Sequence, residues 1–87
     1  RELVSGDVAG QTRRALANCE AALAACGATL ADVVRAGVFL ADLSTRREMD
    51  RVFAEVWPQS PPARTTVGAE LPGGMLVEID LTAWVDE

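Results

Sequence analysis

The segment from Met75 to Val85 constrains the fold more than any other. Met75, Val77, Ile79, Leu81, Ala83 and Val85 alternate with Leu76, Glu78, Asp80, Thr82 and Trp84. A period of two places each set on its own face of a β-strand. The first face is apolar throughout and has to pack on a core. The second mixes two carboxylates with a tryptophan, which suits a subunit interface or a site better than a dry interior. A strand of this kind cannot bury its apolar face alone, so the rest of the chain must supply amphipathic cover.

Helices supply it. Val8, Thr12, Ala15, Leu16, Cys19, Ala22, Leu23 and Cys26 recur at spacings of three and four, which predicts an amphipathic helix over residues 8–26. Asp7 is its N-cap and Gly27 its natural stop. Thr29 to Asp32 is a short turn, and the apolar, β-branched Val33–Leu40 is a strand. Thr45 with Glu48 three residues on has the form of a capping box. It opens a second helix with the stripe Met49, Val52, Phe53 and Val56, which Trp57-Pro58 ends. Gln59 to Pro62 is a rigid loop and Ala63 to Val67 a strand. Gly68 to Gly74 is a connection whose Pro72-Gly73-Gly74 reads as a hairpin turn. Leu3-Val4 is an apolar stub before a turn at Ser5-Gly6. The order helix, strand, helix, strand, strand predicts an α+β fold, a sheet with two helices packed on one face. The helix-free face needs cover from another subunit or from strands preceding Arg1.

The 87 residues allow one domain, 1–87. A net charge of −5 argues against a nucleic-acid or anionic-membrane partner. No stretch is long enough to span a bilayer. All eight basic residues are Arg, and the chain has no Lys, His or Tyr. This removes the Ser-His-Asp triad, the Cys-His dyad, His-based metal sites and any Schiff-base Lys. Asp80 shares the strand face of Glu78, but two carboxylates with no third ligand nearby make a poor metal site. Cys19 and Cys26 fall about 10 Å apart along a helix axis, at ~1.5 Å per residue. That is beyond disulfide reach, so a reduced, cytoplasmic protein is expected. Hydrophobic residues make up 49%, high for so small a unit, and part of that surface is expected to lie against another subunit.

Two charges stand out in segments that are otherwise apolar or small. Arg64 lies in Pro61-Pro62-Ala63-Arg64-Thr65-Thr66-Val67, and Glu78 lies between Val77 and Ile79. An ionised side chain is costly to bury without a partner. A guanidinium can grip a carboxylate through two parallel hydrogen bonds, and a carboxylate nearby can orient a water. On spacing alone, an ion-paired or solvated Arg64 and an interfacial Glu78 are the stronger reading. A site for a small carboxylate-bearing substrate is the other.

A set of motifs tips that balance. They are Gly6-Asp7-Val8-x-x-Gln11-Thr12-x-x-Ala15-Leu16, Gly27-Ala28-Thr29-Leu30-x-Asp32-Val33-Val34 and Val38-Phe39-Leu40-x-Asp42. Met49-Asp50-x-Val52-Phe53, Pro62-Ala63-Arg64-Thr65-Thr66-Val67, Leu71-Pro72 and Val77-Glu78-Ile79 follow. Together, over essentially the whole chain, they resemble the RidA (YjgF-like) family. The resemblance implies a chorismate-mutase-like sandwich and a homotrimer with sites in the clefts between subunits. It implies hydrolysis of 2-aminoacrylate-type enamines and 2-iminopropionate-type imines to 2-keto acids and ammonia, with no metal or organic cofactor. In that scheme Arg64 grips the substrate carboxylate, Glu78 stands near the hydrolytic water, and Thr65, Thr66 and Asp50 line the substrate site. Thr66 stands where the family often has Cys, Asp50 where Asn is common, and the loop from Val67 to Leu71 is one residue short. Family members begin with a further segment carrying two strands, so this chain, which starts at Arg1, is expected to be N-terminally incomplete. A non-catalytic small-molecule-binding trimer and an inactive fragment are the alternatives.

Overall fold

The computed structural model describes residues 6–86, so the Leu3-Val4 stub lies outside the described residues. The first helix, α1, is Val8–Ala25. The Asp7 side chain caps it by accepting from the Gly10 N–H at 2.7 Å. At the other end Gly27 adopts φ +79°, and the Ala28 N–H reaches back to the Leu23 carbonyl at 2.9 Å. A residue with a Cβ would resist that left-handed turn. Burial on α1 is concentrated in its first half, at Val8, Gln11, Thr12 and Leu16. Ala22 and Cys26, on the apolar stripe by spacing, are exposed.

Strand β1, Val33–Leu40, follows a short 3₁₀ turn at Leu30–Asp32. Helix α2 is Arg46–Val56, entered through a second 3₁₀ turn at Leu43–Thr45. The expected Thr45–Glu48 capping box does not form. The 3₁₀ turn shifts the capping role to Asp42, whose Oδ1 accepts from the Ser44 N–H at 2.9 Å, while Thr45 Oγ1 donates to the Asp42 carbonyl at 2.6 Å. A reciprocal box forms instead at Thr29 and Asp32, in what reads from sequence as a plain turn.

Strands β2, Ala63–Gly68, and β3, Val77–Ala83, complete a three-stranded sheet of order β2-β1-β3. β1 pairs parallel with β2 and antiparallel with β3. The hairpin expected between β2 and β3 is therefore absent, because β1 separates them. The most apolar strand takes the centre, with Ala36, Val38 and Leu40 fully buried. The connection from β2 to β3 straddles the end of β1. Ala69 N–H donates to the Leu40 carbonyl at 2.9 Å, and Ala41 N–H donates to the Leu76 carbonyl at 3.0 Å.

Both helices cover one face. Leu16 from α1, Met49 and Val52 from α2, and Val77 from β3 close on the β1 side chains, each no more than 3% exposed. The period-two alternation of β3 holds: Val77, Ile79, Leu81 and Ala83 are buried or half-buried, and Glu78, Asp80 and Thr82 are exposed. The strand is shorter than its pattern, leaving Trp84 at 71% exposure. A bulge between Val33 and Arg35 switches the parity of β1, so Val33 and Ala36 both enter the core and Val34 is turned out.

Candidate functional site

The site is built on the edge strand. Arg64 is in register with Ala36, and neighbours in a parallel ladder share a face, so Arg64 points to the helix side of the sheet. There its Nη2 donates to Asp50 Oδ1 at 2.5 Å and its Nη1 to Met49 Sδ at 3.6 Å. Its Cζ stands 5.0 Å from the centroid of the Phe53 ring. The Arg64 side chain is 28% exposed, although the residue as a whole lies open on the edge strand, so the ring and the helix cover part of a charge that one carboxylate balances among the described residues. Asp50 Oδ2 also lies 3.9 Å from Arg46 Nε, one helical turn earlier. Two guanidinium groups flanking one carboxylate leave this trio one positive charge in excess.

Beside Arg64 opens a depression of about 440 Å³, lined by Asp50, Phe53, Ala54, Trp57, Pro61, Pro62 and Arg64. Its helical wall follows from the three-and-four spacing of Asp50, Phe53, Ala54 and Trp57. The rings of Phe53 and Trp57 lie 5.3 Å apart, tilted by 38°, and the Trp57 indole N–H donates to the Leu30 carbonyl at 2.8 Å. That bond satisfies the indole and fixes its plane. Trp57-Pro58 ends α2, Ser60 turns the chain with φ +54°, and Pro61-Pro62 leads into β2.

The other residues singled out in the sequence divide between two faces. Thr66, in register with Val38, shares the face of Arg64. Thr65, in register with Gly37, points the other way, and its Oγ1 accepts from Arg35 Nη2 at 3.2 Å. Glu78 is in register with Phe39 on that same helix-free face and is exposed. The structure thus brings Arg64 to Asp50 and keeps it apart from Glu78. The two stand on opposite faces and on the two outer strands, which lie roughly 10 Å apart at two strand spacings.

Three further residues matter that the sequence reading gave no site role. Arg46 joins Arg64 at Asp50. Buried Gln11 accepts from the Leu76 N–H through Oε1 at 2.7 Å and faces the Gly74 carbonyl with Nε2 at 3.5 Å, pinning the turn that leads to Glu78. Gly37 is in register with Asp80, and a Cβ at 37 would meet the Asp80 carboxylate oxygens at 2.7 and 2.8 Å. The glycine therefore allows that carboxylate to lie across β1. Only the helical spacing on α2 and the motif position of Gln11 could have signalled any of these.

Both cysteines are free thiols. Burial, with the Asp80 charge second, pushes the Cys19 thiol up, so it stays protonated at neutral pH and is a poor nucleophile. Among the described residues no group of three His, Cys, Asp or Glu could hold a metal ion. No described helix is long and apolar enough to cross a membrane.

Comparison with known proteins fits this architecture. Residues 1–85 match the family described as endoribonuclease L-PSP, and the chain belongs to this RidA/YjgF family. A RutC family protein from Pyrococcus horikoshii is 40% identical over 84 residues, which are 95% of this chain and 67% of that protein. A Dermatophagoides farinae protein named 2-iminobutanoate/2-iminopropanoate deaminase is 35% identical over 80 residues, 91% of this chain and 62% of that one. The crystal structure of a YjgF/YER057c/UK114 family member from Mycobacterium tuberculosis superposes with a TM-score of 0.89 at 42% identity, covering 94% of this chain and 71% of the other. The chain thus spans about two thirds of the length of the relatives it matches.

Proposed function

We propose that the protein hydrolyses reactive 2-imino acids and their enamine tautomers to 2-keto acids and ammonia. The observation that carries this reading is Arg64, a partly covered side chain beside a depression, whose one carboxylate partner among the described residues is shared with Arg46. An incoming substrate carboxylate would take up the excess charge through two parallel N–H···O bonds. The deaminase name of one relative supports the same chemistry. Water adds to the C=N carbon as Glu78 takes one of its protons and passes it to the nitrogen. The C–N bond of the tetrahedral adduct then breaks as its hydroxyl proton moves to the nitrogen, which leaves as ammonia while the C=O bond forms. The imine is already electrophilic, so orientation supplies most of the catalysis.

Arg64 and Glu78 lie on opposite faces of one sheet, so a cleft containing both takes them from two chains. This is the reading of a homotrimer with intersubunit sites, working in the cytoplasm without a cofactor. RNA cleavage, which the family description names, is disfavoured by the net charge of −5 and by the lack of any Lys or His to follow a phosphate backbone.

The test is the lifetime of 2-iminopropionate generated in solution from alanine by an amino-acid oxidase. The protein shortens it, and Arg64→Ala loses on the order of 10²-fold or more in rate, the scale of lost substrate positioning. An unchanged lifetime with the unmodified protein would refute the reading. One observation favours a second reading, a trimer that binds 2-keto acids without turnover: Glu78 stands on the opposite face of the sheet from Arg64. Calorimetric binding of pyruvate without imine hydrolysis would select it.

A further inference from the structure

We infer that Gln11 is a positioning residue for the hydrolytic step: through the turn it holds, it sets where Glu78 stands. This rests on the imine-hydrolase reading above, in which Glu78 handles the water. Gln11 lies near the start of α1, 65 positions before its main partner. Its Oε1 accepts from the Leu76 N–H at 2.7 Å, and its Nε2 faces the Gly74 carbonyl at 3.5 Å. Leu76 is two residues ahead of Glu78 and shares its strand parity. Gln11 is only 5% exposed, and burying an amide costs desolvation that an apolar residue would avoid. Among the described residues, both ends of that amide are spent on this one turn.

The turn needs such an anchor. It passes through Gly73 and Gly74 at φ +62° and +76°, and glycines leave a chain many ways to turn. The β1 ladder takes hold of β3 only from Val77, one residue before Glu78. Buried Val77 fixes the parity of the strand but not the path by which the chain enters it. Leu76 is instead gripped at both ends of its backbone. The Ala41 N–H donates to its carbonyl at 3.0 Å, which continues the ladder, and Gln11 takes its N–H, which ties the strand end to α1. Arg64 is remote from this device, on β2 and on the other face of the sheet. Loss of the Gln11 amide therefore moves Glu78 and leaves the carboxylate grip alone. Where orientation carries the reaction, a displacement of about 1 Å can cost on the order of 10²-fold in rate.

The experiment measures kcat and KM for 2-iminopropionate with Gln11→Met, per folded chain as counted by circular dichroism. The value of kcat is expected to fall about tenfold or more while KM stays within about twofold, because the loss falls on the transition state and not on substrate binding. Asp32→Ala is the control. It breaks the Thr29–Asp32 box at the opposite end of β1, costs stability there, and is expected to leave kcat unchanged. Gly73→Ala reaches the same turn without touching Gln11. The left-handed φ strains an alanine, and nothing lies within 4 Å of the added Cβ. Its kcat is expected to fall about threefold or more with KM kept. Should Gln11→Met not fold, Gly73→Ala alone decides. An unchanged kcat in either folded variant, a KM that rises in step with the loss, or an equal loss in Asp32→Ala overturns this inference and leaves the imine-hydrolase reading standing. No hydrolysis by the unmodified protein overturns both.

Discussion

Arg64 and Glu78 face away from each other across one sheet. Arg64 is in register with Ala36 beneath the helices, and Glu78 with Phe39 on the uncovered side. In a trimer with three equivalent clefts, each cleft draws the two from different chains. Arg64→Ala and Glu78→Gln chains should each be inactive alone. Dissociated, mixed in equal amounts and reassembled, about one quarter of the clefts combine an intact Arg64 with an intact Glu78. The recovered imine-hydrolysis rate should approach that fraction. A site completed within one chain would recover nothing on mixing.

The Phe53 ring holds the Arg64 guanidinium in place. The 5.0 Å separation from Cζ to the ring centroid, on an edge strand open to solvent, predicts a coupling of about 0.5–1 kcal/mol between the two side chains. Urea unfolding of Phe53→Leu, Arg64→Met and the double variant measures it. Strictly additive losses would show that Asp50 and Met49 alone hold the arginine.

Much of this architecture is written locally. Asp7 caps α1 and Gly27 stops it because both roles depend on residues within one turn. The faces of β3 are legible because alternation is a property of the strand alone. Strand order is not local. The stretch 69–76 is a turn-rich connection that would fit a hairpin, and only the burial demanded by Ala36, Val38 and Leu40 puts β1 between β2 and β3. The same holds at the site. Arg64 is visible as a charge in an apolar segment, but its pairing with Asp50, fourteen positions earlier, exists only once β2 lies beside β1 and under α2. Parity separates Arg64 from Glu78 only after that order is known.

Gln11 links α1 to the turn ahead of Glu78. It is 5% exposed, and its Oε1 takes the Leu76 N–H at 2.7 Å. Gln11→Met keeps the length and apolar stem of the side chain but leaves that part-buried N–H without its acceptor. The loss should be about 1–3 kcal/mol by chemical denaturation. Gln11→Glu keeps the acceptor oxygen but buries a charge and sets a second oxygen against the Gly74 carbonyl, so it should lose less only in acid, where its carboxyl is neutral. Equal losses in the two variants in acid would point to packing, and not the hydrogen bond, as the source.

Asp42 gives the fold a defined acid sensitivity. Its hydrogen bonds from the Ser44 side chain and backbone hold its carboxyl below the ordinary range, with desolvation opposing only as the smallest cause. The folded value is therefore lower than the unfolded one, about 3.9. The resulting stabilisation is complete above the unfolded value and disappears as pH falls through the folded value. Asp42→Ala should melt below the unmodified protein at neutral pH, since it loses the cap on the Leu43–Thr45 turn. The gap should stay constant down to about pH 5 and narrow below about pH 4. Melting temperatures of both proteins, measured from neutral pH into this acid range, decide the matter. A gap that does not narrow in acid would mean that the Asp42 charge contributes nothing to the cap.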